Sequence, residues 1–286
     1  MQKRRLIPIV TAVSLALTLC ACGSSPKFVL LKTAKAVLKA DTVGIGVTAE
    51  ANVTVDNPIY PLSTTLSGTF DVAAVPEDGQ ARIEGSVGAQ IMKRDISVPL
   101  QAYATGTDTA RSTWYVSFPL KGSDSRWQKL TVSSSGKDSP DIKALLPLAA
   151  AFADTVKLTE TAMGARECYK ISGKLTGAQL KSFDLGSFGR RIDSNASVQV
   201  SALLDRRTCE PIKMVLYSDD LLENAVDFGE FVGMSLDEIS VTLNFHLDDE
   251  KEAISLPAEA LDADSCTNLG DGLELKDSFR KLLGLG

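Results

Sequence analysis

From residue 43 the chain alternates between apolar and polar side chains. Val43, Ile45, Val47, Ala49, Ala51, Val53 and Val55 stand against Gly44, Gly46, Thr48, Glu50, Asn52 and Thr54. A period of two puts each set on its own face, so the stretch predicts a long β-strand buried on one side. Asn57-Pro58 and Pro61 interrupt it. The alternation resumes with Leu66, Phe70, Val72 and Ala74, and past the turn residues Glu77-Asp78-Gly79 with Ala81, Ile83, Val87, Ala89 and Ile91. It continues through Ile96, Val98, Leu100, Ala102 and Ala104, then Trp114, Val116, Phe118 and Leu120, and past a turn at 122–126 into Trp127, Leu130 and Val132. Strands in succession joined by short turns predict an antiparallel meander.

The period changes to that of a helix in four places. Residues 27–40 carry Leu30, Ala34, Val37 and Leu38 on one side and Lys32, Lys35 and Lys39 on the other. Ser139-Pro140 has the chemistry of a helix start, followed by Ile142, Leu145, Leu146 and Ala149, with Pro147 expected to kink it. Leu221, Ala225, Phe228 and Val232 mark a third helix stopped at Gly233, and Leu275, Phe279, Leu282 and Leu283 a short C-terminal one. Between them lie strand patterns at 156–162, 167–175, 196–204, 212–217 and 239–247.

Counting elements suggests the architecture. About 11 strands exceed what an open twisted sheet carries flat, and helices with one apolar stripe each can cover one face. The expectation is an α+β fold: a strongly bent antiparallel β-sheet, a half-barrel, with helices covering the concave face. Small residues on the inward face (Ala49, Ala51, Gly68, Ala89, Ala102) either leave volume for a cavity or allow close packing.

The first 25 residues follow a different logic. Lys3, Arg4 and Arg5 precede an apolar run at 6–19 and then Leu-Cys-Ala-Cys-Gly. That run is shorter than the ~20 residues a spanning helix needs. It reads as a secretory signal over 1–21 ending in a lipoprotein cleavage site, with Cys22 as the lipidated residue, Leu19 at −3 and Ala21 at −1. Two acyl chains anchor a protein stably where one does not. The expected product is extracytoplasmic, lipid-anchored to a bacterial membrane through Cys22, with a tether at 22–26 and a single domain over 27–286. The lysines of the 27–40 helix, so close to the anchor, face either solvent or anionic headgroups.

Cleavage takes the formal charge from −6 to −9 (27 basic against 36 acidic residues), and hydrophobic residues make up 44% of the chain. An acidic surface argues against nucleic acid as a partner. Catalytic material is sparse. His246, the single histidine, falls with the polar residues of the last strand, and one histidine leaves the common zinc and Ser/His arrangements without their parts. Gly233-Met-Ser235-Leu-Asp237 lacks the second glycine of a nucleophile elbow. Ser24 and Lys27 have serine–lysine spacing but sit in the tether. Asp262 and Asp264 open like a calcium loop, yet Thr267 stands where glycine is required. Asp248-Asp249-Glu250 reads as a hairpin tip. No enzyme, cofactor or metal is expected.

Cys168 and Cys209 share parity with polar neighbours on their strands, which predicts outward-facing thiols able to form a cross-strand disulfide; Cys266 is the rival partner, and free thiols are the other outcome.

Several segments together resemble the LolA-like lipoproteins and carriers, including the LppX and LprG group of lipidated lipid-binding proteins. They are the helix after the anchor, Trp114-Tyr115-Val116 with Trp127-Gln128-Lys129-Leu130, Cys168-Tyr169-Lys170-Ile171-Ser172-Gly173, Leu203-Leu204-Asp205 with Pro211-Ile212-Lys213, and Ser255-Leu256-Pro257. The resemblance implies a bent sheet and helices holding acyl chains or another apolar ligand, and it transfers no catalytic set. Two functions follow as expectations. One is an anchored lipoprotein that binds or carries a lipid or other apolar ligand, with Phe70, Trp114, Phe118 and Leu145 lining the cavity. The other is a non-enzymatic cell-envelope structural, sensor or protein-interaction module with a filled core, meeting an envelope protein through an exposed apolar patch such as Leu275/Leu282.

Overall fold

The computed structural model describes residues 25–55, 62–75, 77–91, 94–108, 111–117, 127–133, 153, 155–181, 194–219 and 234–266. The expected signal segment with Cys22, the cavity candidates Phe118 and Leu145, and the helices expected around Leu145, Phe228 and Phe279 lie outside the described residues.

Among the described residues, each period-two segment forms a strand, and a short twelfth strand follows that the alternation did not predict. In chain order the strands are β1 (Thr42–Val55), β2 (Leu62–Val75), β3 (Gln80–Ile91), β4 (Arg94–Asp108), β5 (Arg111–Ser117), β6 (Trp127–Ser133), β7 (Val156–Met163), β8 (Arg166–Thr176), β9 (Ser197–Asp205), β10 (Pro211–Ser218), β11 (Met234–Asp248) and β12 (Asp264–Cys266). They make one open sheet of 12 strands in the order β12-β6-β5-β4-β3-β2-β1-β11-β10-β9-β8-β7. Two meanders, β1 to β6 and β7 to β10, are thus joined edge to edge by β11, which pairs with β1 along 14 positions and with β10 on its other side. All ladders are antiparallel except the short β12–β6 pairing. Register slips at Asn52/Val53, Thr105/Asp108 and Pro211/Lys213 mark bulges, which bend strands and sharpen their twist.

Among the described residues the helices are α1 (Pro26–Lys39), the short α2 (Gly177–Lys181) and a 3₁₀ turn at Ala258–Ala260. The described molecule is therefore mostly β, rather than α+β with helices spread over a face. Ser25 caps α1, its hydroxyl accepting from the Phe28 N–H at 3.2 Å, and Pro26 occupies the first turn, where a missing N–H costs nothing. The buried stripe of α1 runs through Val29 and Ala34, with Leu30 packed alongside, one residue off the expected face.

Among the described residues, three apolar clusters hold the sheet. Val29 of α1 packs on Tyr169, Ile171, Ala202, Leu204 and Cys209, so α1 covers the apolar face at the β8–β10 end. Leu175, Val198 and Val200 continue that layer. The third cluster is on the opposite face: Tyr103 and Trp127, with ring centroids 5.9 Å apart, join Tyr115 under Ile254, Leu256, Ala260 and Ala263. After β11 the chain does not make the expected hairpin at Asp248-Asp249-Glu250; it turns onto this outer face. Arg82 pairs with Glu252 at 2.8 Å, and Lys251 with Glu77 at 2.7 Å and Asp78 at 3.3 Å. Asp264 belongs to β12, opposite Gln128, and the rest of the calcium-loop pattern from Thr267 on lies outside the described residues.

Candidate functional site

The cross-strand register converts the sequence alternation into a surface. Leu158, Ile171, Ala202, Met214, Leu243, Val47, Phe70, Gly85 and Leu100 oppose one another in turn across nine consecutive strands. The adjoining row is Val156, Gly173, Val200, Leu216, Val241, Ala49, Gly68, Val87 and Val98. Neither row contains a polar side chain. Where α1 and the Leu175 cluster cover it, at Ile171, Ala202 and Val200, the face is buried. From β11 through β4 the face is half-buried, including Leu243, Val241, Val47, Ala49, Phe70, Val87, Val98 and Leu100. A strip this apolar normally lies against something.

Of the expected lining residues, Phe70 and Trp114 stand on this face, both half-buried. The Phe70 ring lies across two glycines: a Cβ on Gly68 would meet its Cε2 at 2.8 Å, and one on Gly85 its Cδ1 at 2.7 Å. Glycine at both positions lets the ring lie along the sheet instead of standing out from it. Two small-residue positions are thus occupied by a neighbour's ring, while Ala49 and Ala51 leave the adjacent strand low.

One polar group on this face escaped the sequence reading. Gln128 opposes Val116 and is 8% exposed, and its Oε1 is buried without a hydrogen-bond partner among the described residues. The signal was available, since Gln128 shares parity with Leu130 in an otherwise apolar alternation.

The outer face carries polar chemistry. Near the β1 bulge, an open groove of about 400 Å³ is lined by Asn52, Thr65, Gln90, Tyr217, Asp219 and Glu238 among others. Asn52 donates to Glu238 Oε2 and accepts from the Thr65 hydroxyl, each at 3.1 Å, so these groups largely satisfy one another. Burial and a 2.5 Å hydrogen bond donated to Glu84 push the Tyr103 phenol up to about 12. His246 is exposed, as expected, with its Nε2 3.0 Å from Asp248.

The cysteines correct the expectation of exposed thiols: Cys168 keeps the side opposite Tyr169 and Ile171 that parity gives it but is covered there, and Cys209 turns inward. Cys168 is 0% exposed and its thiol donates to the Arg166 carbonyl at 3.5 Å, while Cys209 is 3% exposed in the cluster beneath α1. Both are free thiols here. Parity misled because Cys209 is not in a strand: it holds a left-handed conformation, φ 62°, in the β9–β10 turn. That backbone turns its side chain into the core, where burial pushes the thiol pKa up.

No protein-family model matches the chain, and no curated protein sequence matches it. Solved structures show a distant likeness. A β-barrel-like protein of a domain family of unknown function from Brucella abortus is 11% identical, covering 71% of this chain and 98% of that one, with a TM-score of 0.23. A protein of another such family from Desulfovibrio piger is 9% identical over 76% and 88%, with a TM-score of 0.22. A putative outer membrane lipoprotein-sorting protein domain from Vibrio parahaemolyticus is 10% identical over 76% and 89%, with a TM-score of 0.25. Likeness at this level assigns neither fold nor function to this chain.

Proposed function

We propose that this protein binds a lipid or another long apolar molecule along the apolar face of its sheet, and that acylation of Cys22 holds it on the outer side of a bacterial membrane. The observation carrying this reading is the half-buried stretch from β11 to β4, where two rows of wholly apolar positions run side by side. An extended acyl chain suits such a surface, because each methylene moved out of water gains ~0.8 kcal/mol without directional contacts. On this reading the sheet bends around its ligand, and the Oε1 of Gln128, unpartnered among the described residues, accepts from a donor group at one end of it. No step of bond making or breaking is involved.

The test uses the chain with Cys22→Ser, so that its own acyl groups do not interfere. Mass spectrometry of organic extracts from the purified protein should find co-purifying lipid, and a fluorescent apolar probe should bind. Ala49 lies mid-face, opposite Gly68 and Val241. Ala49→Trp should weaken probe binding by about tenfold or more, a loss of roughly 1.4 kcal/mol, with little change in melting temperature. Absence of both lipid and probe binding in the parent protein would leave the filled-core interaction module as the better reading.

A further inference from the structure

The exposed side of α1 is neither apolar nor mixed. Phe28, Lys32, Lys35 and Lys39 recur at helical spacing and all are exposed, Phe28 by 61%, with Lys27 beside them. The β9–β10 turn abuts this helix: Lys32 Nζ donates to the Arg207 carbonyl at 3.1 Å, and the Thr33 hydroxyl donates to the Cys209 carbonyl at 2.7 Å. Three acids near the turn are paired with other cations, while the turn itself also carries Glu210. Asp205 holds Arg166 at 2.7 Å, and Glu160 and Glu167 hold Arg206 at 3.1 and 3.0 Å. Among the described residues, the side chains of Lys27, Lys35 and Arg207 have no acidic partner within ion-pair distance. Beyond the exposed Lys39, past the end of α1, acids gather where the Asp41 N–H meets the Asp248 carbonyl beside Asp249 and Glu250. The result is a cationic end with an exposed aromatic ring on a chain of formal charge −6.

We propose that the amino-terminal part of α1 and the β9–β10 turn form a docking surface for an anionic phospholipid bilayer. Lys27, Lys32, Lys35 and Arg207 meet the headgroups and Phe28 enters the interfacial layer. Three facts select a bilayer over a protein partner. The surface begins at Pro26, four residues after Cys22, a reach of at most about 14 Å in extended chain. Its charge is complementary to anionic lipid, opposite in sign to the rest of the molecule. Its one large apolar group is a single ring, which suits the headgroup boundary better than a protein interface, whose centre needs a packed cluster.

The experiment is cosedimentation of the full chain carrying Cys22→Ser with vesicles of phosphatidylcholine alone or mixed with phosphatidylglycerol. Binding should require phosphatidylglycerol and fall with added salt. A cation near such a surface is worth on the order of fivefold in partitioning, so the double variant Lys27→Glu/Lys35→Glu should lose more than an order of magnitude, and Phe28→Ser should lose binding without changing the salt dependence. Lys170→Glu/Lys174→Glu, on exposed positions of β8, serves as the charge control and should bind nearly as well as the parent. Equal loss in the control, or no preference for phosphatidylglycerol, overturns the proposal. Thermal melting of each variant separates lost binding from lost folding. Apolar-probe binding, measured on the same samples, is independent of the outcome, so this surface and the ligand face fail separately.

Discussion

Asp205 ends β9 and organises the turn after it. One carboxylate oxygen accepts from the Arg207 and Thr208 N–H groups, both at 2.8 Å, and the other accepts from Arg166 Nε at 2.7 Å. The Thr208 N–H foremost, then Arg166 and the Arg207 N–H, hold its pKa down to about 2 against the opposing pull of burial. The folded chain thus takes up this proton less readily than the unfolded one. Its stabilisation is complete above the ordinary carboxylate value of 3.8 and is lost as pH falls through about 2. A depression of this size corresponds to about 2 kcal/mol. Asp205→Ala should therefore lower stability in urea by that amount at neutral pH, and the gap to the parent should shrink steadily between pH 4 and pH 2. A gap independent of pH would mean that the turn depends on the shape of the side chain and not on its charge.

At the level of elements, the third apolar cluster shows what alternation can and cannot tell. Tyr103, Tyr115 and Trp127 are all odd-numbered and sit on three neighbouring strands, whereas the inward residues Ala104, Trp114, Val116 and Leu130 are even. Burying large aromatics on the supposedly wet face requires a cover, and the 251–263 segment supplies it without forming a strand of its own over them. Trp127→Ala should cost about 3–5 kcal/mol, the usual range for a buried aromatic. It should also speed amide exchange at 254–263 while leaving α1 and β8 to β10 protected. Exchange that rises evenly over the whole chain would show the segment to be no separate unit. The strands themselves were legible because seven apolar residues in β1 alternate without a miss, and a one-residue slip would turn them all to water. The cover was not, because Ile254 and Leu256 repeat only once and give no sign of what they lie on. Position in a turn hid the direction of Cys209 in the same way. On the inward face, Phe70 and Trp114 fall on the side that parity gives them, but Gly85 as the bed for Phe70 required the cross-strand register.

For the whole molecule, the decisive feature is that, among the described residues, its two meanders are each contiguous in sequence and are joined within the sheet by a strand made late in the chain. β1 to β6 form from residues before 134 and β7 to β10 from residues 156–218, with β11 inserted between β1 and β10 afterwards. The two halves can each pair locally, so the unity of the apolar face depends on β11. Thr242 stands mid-strand, opposite Thr48 on one side and Val215 on the other. Proline there removes a ladder donor and clashes within a central strand, where it is normally excluded. Both tryptophans, Trp114 and Trp127, belong to the first meander. Tryptophan fluorescence therefore follows one half, while far-ultraviolet circular dichroism follows both. In the parent chain the two signals should give one coincident thermal transition. In Thr242→Pro they should separate, with fluorescence retaining a transition of its own, and apolar-probe binding should be lost because the rows no longer cross the seam. Coincident transitions in the variant would mean that the halves communicate by another route, and the strand order alone would then not explain how the face is held together.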